Sequence, residues 1–403
     1  MKRALLRMGI RIFTAVLSLL SSTAALLRRR KRPVPKEGLH VVLTGTFYSD
    51  NWLETHLRPM GESRLIRLVT MVAAVPVPAM PGVDAVYPHP RLARVLGAST
   101  ARLVTFAVVA VRRKADIVGG FHLLINGLVA LLVARARGCR SMYICGGGKR
   151  EVEGGGYSTE NQIFRRLDGP SPYVERKLLQ AAVAFDFLVT MGESVREFFL
   201  KRGASGQVVV VPGGFDARLF SPAVDEPIYD LILVGRMSPV KRIDIFVRVL
   251  QSLEDVALRA VVVGDGPSSA DLRQLAQDCG VATRIDFVGW QGDVQSWLRR
   301  SRIFVLTSES EGLSQAMVQA MLCGLPVVVT DVGDLKDLVV HGRNGYLTAP
   351  GRVDDCAAKV SLLCGDGELR RTMGAQARLD ALRLSVPNVA AQWDRILAEK
   401  PCC

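Results

Sequence analysis

Two positively charged side chains follow a short apolar run in the second half of the chain. The run covers residues 231–234, and Arg236 and Lys241 come soon after it. If the run is a strand of an open α/β sheet, both cations lie at its carboxyl edge, where such sheets bind ligands. A diphosphate would need both charges, because a fixed pair of cations in a dry site stabilises the negative charge on a leaving nucleotide. A pair of solvated loop charges is the alternative that these residues alone leave open.

A polar block follows another apolar run some seventy residues later. Residues 307–321 have the sequence Thr-Ser-Glu-Ser-Glu-Gly-Leu-Ser-Gln-Ala-Met-Val-Gln-Ala-Met. The pattern predicts the end of a strand, a glycine turn and a helix that begins near Ser314. Backbone amides of Gly312, Leu313 and Ser314 would then point at an anion. Glu311 and Gln319 would offer a carboxylate and an amide to sugar and ribose hydroxyls at the same place.

Weaker candidates lie at other predicted strand ends. Three glycines of the same half could let the backbone approach a ligand closely. They are Gly235, Gly264 and Gly289. In the first half, Gly45 and Thr46 end the first apolar run, and His122 follows another. His122 is a candidate site residue, but a packed histidine is the favoured interpretation, because no partner for it is visible in the sequence.

A basic pair stands in a glycine-rich stretch of the first half. Lys149 and Arg150 lie between three glycines at 146–148 and three more at 154–156. This spacing predicts either a mobile loop that meets a phosphate-linked group or a flexible, solvated loop, and the two interpretations have equal weight.

The spacing of the apolar runs predicts an α/β fold. In the first half we expect strands at 39–46, 66–75, 116–120, 141–145, 185–190 and 208–211. A Gly/Pro-rich passage at 212–227 interrupts the alternation, and a second series follows at 230–234, 259–263, 285–288, 303–307 and 326–330. Stretches of helical length separate the runs, which is typical of doubly wound parallel sheets. We therefore expect two Rossmann-like domains that face each other across a cleft.

The predicted domain boundaries follow from these patterns. At 403 residues the chain exceeds the size at which a single core stops growing. We expect a basic apolar segment at 1–36, one Rossmann-like domain at 37–220, a second at 221–375, and a helix with a tail at 376–403.

Positive charge is concentrated at the N-terminus. The net charge is +14, and residues 1–36 hold ten Lys and Arg without an acidic residue. The uncharged stretch 12–27 would form a helix about 24 Å long, short of the ~30 Å hydrocarbon core. We expect an apolar helix that lies in an anionic membrane surface or spans it tightly. A cleaved secretory signal and an RNA-binding arm are weaker alternatives, and no nucleic-acid-binding face is expected on the folded body.

The cysteines argue against a metal site. The eight cysteines form no C-x-x-C spacing and no zinc pattern with the five histidines. We expect most to be small buried hydrophobes in a reducing compartment, and we expect no metal and no resident cofactor. Cys402 and Cys403 could carry a lipid, although an incidental tail is favoured.

The two chemistry-bearing segments together resemble glycosyltransferase family 4, which comprises retaining enzymes of GT-B fold. The resemblance rests on Arg236 and Lys241 followed by the block from Glu311 to Pro326, and extends from about residue 39 to the C-terminal helix. It implies that the two cations hold the donor diphosphate and that Glu311 lies near the donor sugar. A second glutamate, eight residues later in the family, holds the ribose. Here that position is Gln319, which keeps a carbonyl acceptor but lacks the charge.

The resemblance also implies a reaction. A sugar would pass from a nucleotide sugar, the co-substrate, to an acceptor with retention of anomeric configuration and without a metal. A UDP-sugar is the expected donor, and GDP-sugars use the same frame. The first half would carry acceptor-side groups, with Gly45 and Thr46 near the donor phosphates and His122 near the sugar. A saccharide or lipid-linked acceptor at the cytoplasmic face of a membrane would place the reaction in polysaccharide or glycolipid assembly.

Two alternatives compete with this interpretation. Gln319 leaves room for a catalytically degenerate sugar-nucleotide-binding partner of a membrane assembly complex. A sugar-nucleotide epimerase could use the same frame, but Arg236, Lys241 and Glu311 suit transfer better. We further expect Lys241→Ala to leave the fold intact, on the premise that Lys241 is an exposed loop cation.

Overall fold

The chain divides into two compact units. The computed structural model describes residues 35–46, 49–155, 170–222, 226–253 and 257–399, together with Met8, Arg11 and Ala15. The first unit comprises 1–214 and 386–403, and the second comprises 215–385. The division therefore falls six residues before the predicted boundary at 220, and the end of the chain belongs to the first unit.

The predicted apolar segment at 1–36 lies almost entirely outside the described residues. Within the described part of the chain, no helix is both long enough and apolar enough to cross a membrane. The prediction that residues 1–36 lie at or in a membrane therefore stays a prediction.

The first unit is built on a seven-stranded parallel sheet. Its strands are β1 (Leu39–Thr44), β2 (Ile66–Val72), β3 (Val83–Val86), β4 (Ile117–Phe121), β5 (Arg140–Cys145), β6 (Phe187–Thr190) and β7 (Gln207–Val210). Their order in the sheet is β3-β2-β1-β4-β5-β6-β7. The helices between them are α1 (Asp50–Gly61), α2 (Pro90–Leu96), α3 (Ala98–Arg112), α4 (Leu128–Arg137), α5 (Pro172–Ala182) and α6 (Glu193–Lys201).

The second unit is built on a six-stranded parallel sheet. Its strands are β8 (Tyr229–Val234), β9 (Ala260–Val263), β10 (Ile285–Gly289), β11 (Ser301–Leu306), β12 (Val327–Thr330) and β13 (Gly345–Thr348). Their order is β10-β9-β8-β11-β12-β13. The helices are α7 (Ile243–Ser252), α8 (Ser269–Asp278), α9 (Val294–Arg299), α10 (Gln315–Leu322), α11 (Val353–Gly365) and α12 (Gly367–Ala381).

The last helix, α13 (Val386–Ala398), packs in the core of the first unit. Its Trp393 shares a hydrophobic cluster with Leu53 and Leu57 of α1. The Ser63 hydroxyl also donates to Asp394 Oδ1 at 2.6 Å. These contacts explain why the predicted separate tail is part of the first unit.

Each sheet is doubly wound from its first strand. In the first unit the strand order reverses between β1 and β4, and in the second unit it reverses between β8 and β11. All neighbouring strands in both sheets are parallel. Ligands of such sheets bind at the carboxyl ends of the strands beside this reversal, the topological switch point. The predicted fold class, two Rossmann-like doubly wound parallel sheets, is confirmed.

Candidate functional site

The structure brings Lys241 and Glu311 together at the switch point of the second unit. Lys241 ends a short 3₁₀ turn after β8, and Glu311 lies in the loop after β11. The Lys241 ammonium donates a hydrogen bond to Glu311 Oε1 at 2.6 Å, and the Ser308 hydroxyl donates to the same oxygen at 2.6 Å. Two residues predicted to serve one site from seventy positions apart are thus in direct contact.

The contact corrects one premise of the sequence analysis. Lys241 is not an exposed loop cation, since its side chain is only 21% exposed and that of Glu311 only 10%. Removing one partner of a partly buried ion pair destabilises the fold, because the remaining charge has no opposite charge beside it. The premise that Lys241 is an exposed loop cation is therefore wrong, and an intact fold for Lys241→Ala stays a prediction.

Backbone contacts hold the two loops against each other. The Thr307 hydroxyl donates to the Arg242 carbonyl at 2.8 Å, and the Glu309 amide donates to the Val240 carbonyl at 2.9 Å. Behind Glu311, Gly333 has a φ of +58°, and a Cβ on it would lie 1.9 Å from the Glu311 carbonyl oxygen. The position of Glu311 is thus fixed by glycine packing as well as by hydrogen bonds.

The cations near this site differ in what they contact. Arg242 donates two hydrogen bonds to Asp244, at 3.0 and 2.9 Å, and this carboxylate raises the pKa of Arg242. Arg236, by contrast, is exposed. Within the described ranges its guanidinium makes no hydrogen bond or ion pair. Arg236 lies two residues after β8, and within the described residues no hydrogen bond or ion pair joins it to Lys241 or Glu311.

Helix α10 begins where the sequence predicts. Ser314 caps it by accepting a hydrogen bond from the Met317 amide at 3.4 Å, and Gly312 and Leu313 form the bend just before the cap. The first amides of the helix therefore lie a few residues from Glu311, at the same sheet edge. A helix start of this kind favours a bound anion.

Gln319 is buried inside α10. Its exposed fraction is 2%, and its Nε2 has no hydrogen-bond partner among the residues the structure describes. The Nε2 of Gln315, one turn earlier, is also buried and has no hydrogen-bond partner among the described residues. A buried amide without an acceptor costs roughly 1–3 kcal/mol. Sequence reasoning missed Gln315, although its i, i+4 spacing to Gln319 was a visible signal.

The three glycines predicted to end strands lie in contact with one another. Gly264 has a φ of +139°, and a Cβ on it would lie 2.0 Å from the Gly235 carbonyl oxygen. The Gly264 amide also donates to the Gly289 carbonyl at 2.8 Å. The carboxyl ends of β8, β9 and β10 are therefore packed backbone against backbone, and a side chain at Gly264 would separate them.

In the first unit, Gly45, Thr46 and His122 lie at the corresponding switch point. Gly45 and Thr46 follow β1, which pairs with β4, and His122 follows β4. His122 has a φ of +60°, and its Nδ1 lies 2.9 Å from Glu151 Oε1. Because an ionised carboxylate only accepts hydrogen bonds, Nδ1 is the donor. The partner that the sequence did not reveal is therefore Glu151.

Glu151 is a buried carboxylate with several donors. Besides His122 it accepts hydrogen bonds from the Leu123 amide at 2.8 Å, the Tyr143 hydroxyl at 2.9 Å and the Gly147 amide. Burial alone would raise the pKa of Glu151, but the charge and hydrogen bond of His122 and the two amides outweigh it and lower that pKa. His122 and Leu123 follow β4, Tyr143 lies within β5 and Gly147 follows β5, so Glu151 joins the ends of these two strands.

Aromatic rings pack beside His122. Trp52 stacks on His56 with ring centroids 4.1 Å apart and on His122 with centroids 6.0 Å apart. Lys149 and Arg150 lie in the short turn before Glu151 and are exposed. The predicted loop continues into residues 156–169, which lie outside the described residues.

A buried arginine lies under the same edge. Arg102 of α3 is 3% exposed and donates hydrogen bonds to the Thr44 hydroxyl and to Asn126 Oδ1, the latter at 2.8 Å. Burial lowers the pKa of Arg102 to about 10. Thr44 directly precedes the Gly45 turn, so a buried positive charge lies beneath a turn that sequence reasoning assigned to ligand binding.

The described residues form no cluster of metal-binding side chains. Over the ranges that the structure describes, no three His, Cys, Asp or Glu side chains are grouped as a metal ion requires. Metal independence stays a prediction.

Comparison with known proteins relates the second unit to sugar-transferring enzymes. Residues 217–380 match the family described as Glycosyl transferases group 1. The N-acetyl-alpha-D-glucosaminyl L-malate synthase of Bacillus anthracis is 33% identical over 149 residues, which are 37% of this chain and 39% of that protein. The sulfoquinovosyl transferase of Arabidopsis thaliana is 32% identical over 192 residues, which are 43% of this chain and 36% of that protein. The chain thus spans well under half of these relatives.

Solved structures share the fold across most of the chain. The Anabaena protein HepE, in complex with UDP and glucose, superimposes with a TM-score of 0.67 at 19% identity, covering 90% of this chain and 100% of that one. The sucrose-phosphate synthase of Thermosynechococcus elongatus gives a TM-score of 0.69 at 17% identity, covering 89% and 98%. At such identities the likeness shows the GT-B fold. Residues 217–380 are therefore similar to the glycosyl transferases group 1 family.

Proposed function

We propose that this protein is a retaining glycosyltransferase that moves a sugar from a UDP-sugar to a saccharide or lipid-linked acceptor. The observation that carries the proposal is the contact between Lys241 and Glu311 at the switch point of the second unit, close to the start of α10. A diphosphate bound there could contact the Lys241 ammonium, the first amides of α10 and the exposed guanidinium of Arg236.

The relatives support the choice of reaction and donor. A glycosyl transferases group 1 match covers the unit that contains the site. A structural neighbour was solved with UDP and another form of it with UDP-glucose. The relatives with more than 30% identity include a sulfoquinovosyl transferase and an N-acetyl-alpha-D-glucosaminyl L-malate synthase. This pattern supports a sugar nucleotide as donor and leaves the transferred sugar to experiment.

In the proposed reaction, catalysis depends mainly on stabilising the negative charge of the leaving diphosphate. Lys241 exchanges Glu311 for the donor diphosphate, and Arg236 closes on the same group. As the bond between the anomeric carbon and the diphosphate oxygen breaks, both cations and the α10 amides stabilise the leaving UDP. The acceptor hydroxyl attacks the anomeric carbon on the face that the diphosphate leaves, and its proton passes to a diphosphate oxygen. Glu311, released from Lys241, accepts hydrogen bonds from the sugar hydroxyls. Gln319 forms hydrogen bonds with the ribose hydroxyls. A role for His122 near the sugar stays a prediction.

Membrane association completes the proposal. Residues 1–36 combine ten positive charges with an uncharged apolar stretch, which suits anionic headgroups at the cytoplasmic face. A lipid-linked acceptor at that surface would place the reaction in polysaccharide or glycolipid assembly.

A transfer assay tests the proposal. The full chain is incubated with radiolabelled UDP-sugars and a panel of lipid-linked saccharides, without added metal and with EDTA. We expect labelled product whose new anomeric bond, assigned by NMR, keeps the donor configuration. Inverted product would exclude the retaining route, and conversion of the UDP-sugar to its epimer without acceptor would identify an epimerase.

One observation favours a second candidate, a non-catalytic sugar-nucleotide-binding subunit. Gln319 occupies the position where the resemblance implies a glutamate, and its amide is buried without a partner in the described structure. This candidate predicts UDP binding by the wild-type chain without transfer to any acceptor, and transfer gained by Gln319→Glu.

A further inference from the structure

The outer face of α3 exposes a row of valines. Val104, Val108 and Val111 have exposed fractions of 41, 42 and 48%. Their i, i+4, i+7 spacing places them on one side of the helix. The opposite side is also apolar, since Phe106 and Ala110 are buried against the sheet. A surface helix normally carries polar residues on its outer side, so this row indicates that something covers it.

The apolar surface continues onto α2. Val95 is 80% exposed and Leu96 is 41% exposed, immediately before α3 begins. We name the five residues the α2–α3 patch: Val95, Leu96, Val104, Val108 and Val111. Two consecutive helices of the first unit thus present large apolar side chains to solvent.

The charge around the patch is mainly positive, although Arg113 at the end of α3 is paired with Asp84. From residue 85 to residue 150 the sequence holds eleven Lys and Arg and a single acidic residue, Asp116. That carboxylate is already engaged, because it accepts the His40 amide at 2.9 Å. This segment of the folded body is therefore basic.

Several of these cations border the patch. Arg91, Arg94 and Arg112 are exposed on α2 and α3, and Lys114 is exposed just after them. Arg137 of α4 donates to the Val111 carbonyl at 3.2 Å, so its guanidinium lies beside the row. Long cationic side chains around short apolar ones form the pattern that an anionic membrane interface binds.

We propose that the α2–α3 patch docks on an anionic lipid surface, as a membrane contact separate from residues 1–36. The valines enter the boundary between headgroups and acyl chains, and the arginines pair with lipid phosphates. A protein partner would also bury the valines, but only an acidic one would match the exposed arginines and lysine around them. The contact does not depend on the transfer reaction, so either proposal can fail without the other.

Residues 1–36 could hold the chain on vesicles by themselves. The test therefore uses a probe placed within the α2–α3 patch. A polarity-sensitive fluorescent amino acid replaces Val108 in the full chain, and a matched probe replaces Leu379 of the second unit, which is 64% exposed. Vesicles contain phosphatidylcholine alone or with a third of phosphatidylglycerol, in 0.15 M salt. We expect a blue shift and brighter emission at position 108 with anionic vesicles only, and no change at position 379.

A second arm measures affinity by vesicle sedimentation. The triple variant Val104→Ser, Val108→Ser, Val111→Ser should bind anionic vesicles at least tenfold more weakly than the wild type. The control Leu362→Ser, Leu379→Ser removes equally exposed apolar groups from the second unit and should bind as the wild type does. A chain that sediments with vesicles while its probe at position 108 stays in water would overturn the proposal and assign the patch to a protein.

Discussion

Glu311→Gln separates nucleotide binding from sugar transfer. In the structure Glu311 Oε1 accepts the Lys241 ammonium at 2.6 Å, so a diphosphate must compete with this carboxylate for the cation. The substitution keeps the shape of the side chain and removes its charge, which frees Lys241 and also removes repulsion of the phosphates. UDP, which has no sugar for Glu311 to contact, should therefore bind more tightly.

The magnitude follows from the ion pair. A hydrogen bond to a charged group contributes about 1.5–3 kcal/mol. Lys241 is 21% exposed, so solvent screening favours the lower end of that range. About 1.4 kcal/mol corresponds to a tenfold gain in UDP affinity. Transfer should fall by roughly a hundredfold or more, because the sugar loses a group that acts in the transition state.

Isothermal titration calorimetry with UDP measures the first effect, and initial rates of transfer measure the second. Glu309→Gln is the matched control, since that side chain lies two residues away, is exposed and has no ion pair with Lys241. It should change neither quantity. Weaker or unchanged UDP binding by Glu311→Gln would refute the idea that Glu311 and the diphosphate compete for Lys241.

Three further predictions concern the backbone contacts, the buried amide and a buried histidine. Gly264→Ala should weaken UDP binding and lower the melting temperature, because its Cβ would lie 2.0 Å from the Gly235 carbonyl oxygen; calorimetry and thermal unfolding measure both effects. Gln319→Glu should lower the melting temperature of the free chain, since it places a carboxylate at a site 2% exposed, and UDP should restore much of the loss if ribose hydroxyls meet this side chain. Burial lowers the pKa of His56 to about 4 from 6.5. The unfolded chain therefore binds the extra proton first, and the free energy of unfolding should fall as pH drops from 6.5 towards 4, by about 3 kcal/mol in all. Denaturant unfolding at several pH values should show a flatter profile for His56→Gln.

Long apolar runs made most of the fold predictable. Runs of buried β-branched residues mark strands that are covered on both faces, as in β9, where Ala260–Val263 is entirely buried. Two short strands were not predicted from the sequence. β3 has a half-buried Val-Asp-Ala-Val sequence, and β13 is a Gly-Tyr-Leu-Thr segment after a turn. Neither has enough apolar length to stand out from a loop.

The residues of the candidate site were predictable where position in the sheet decided them. Lys241 and Glu311 follow neighbouring strands, so the topology alone brings them together. The partner of His122 was not predictable, because Glu151 reaches it from a loop 29 residues later through a fold-dependent turn. Burial of Lys241 was equally hidden, since exposure depends on the packing of two loops rather than on local sequence.

The central claim is that Lys241, Arg236 and the start of α10 bind one diphosphate. A crystal structure of the full chain with UDP tests it most directly. We expect phosphate oxygens within about 3.2 Å of the Lys241 ammonium, of the Arg236 guanidinium and of an α10 amide, with the Glu311 contact to Lys241 broken or lengthened. UDP bound elsewhere, with the Lys241 and Glu311 pair intact, would contradict it.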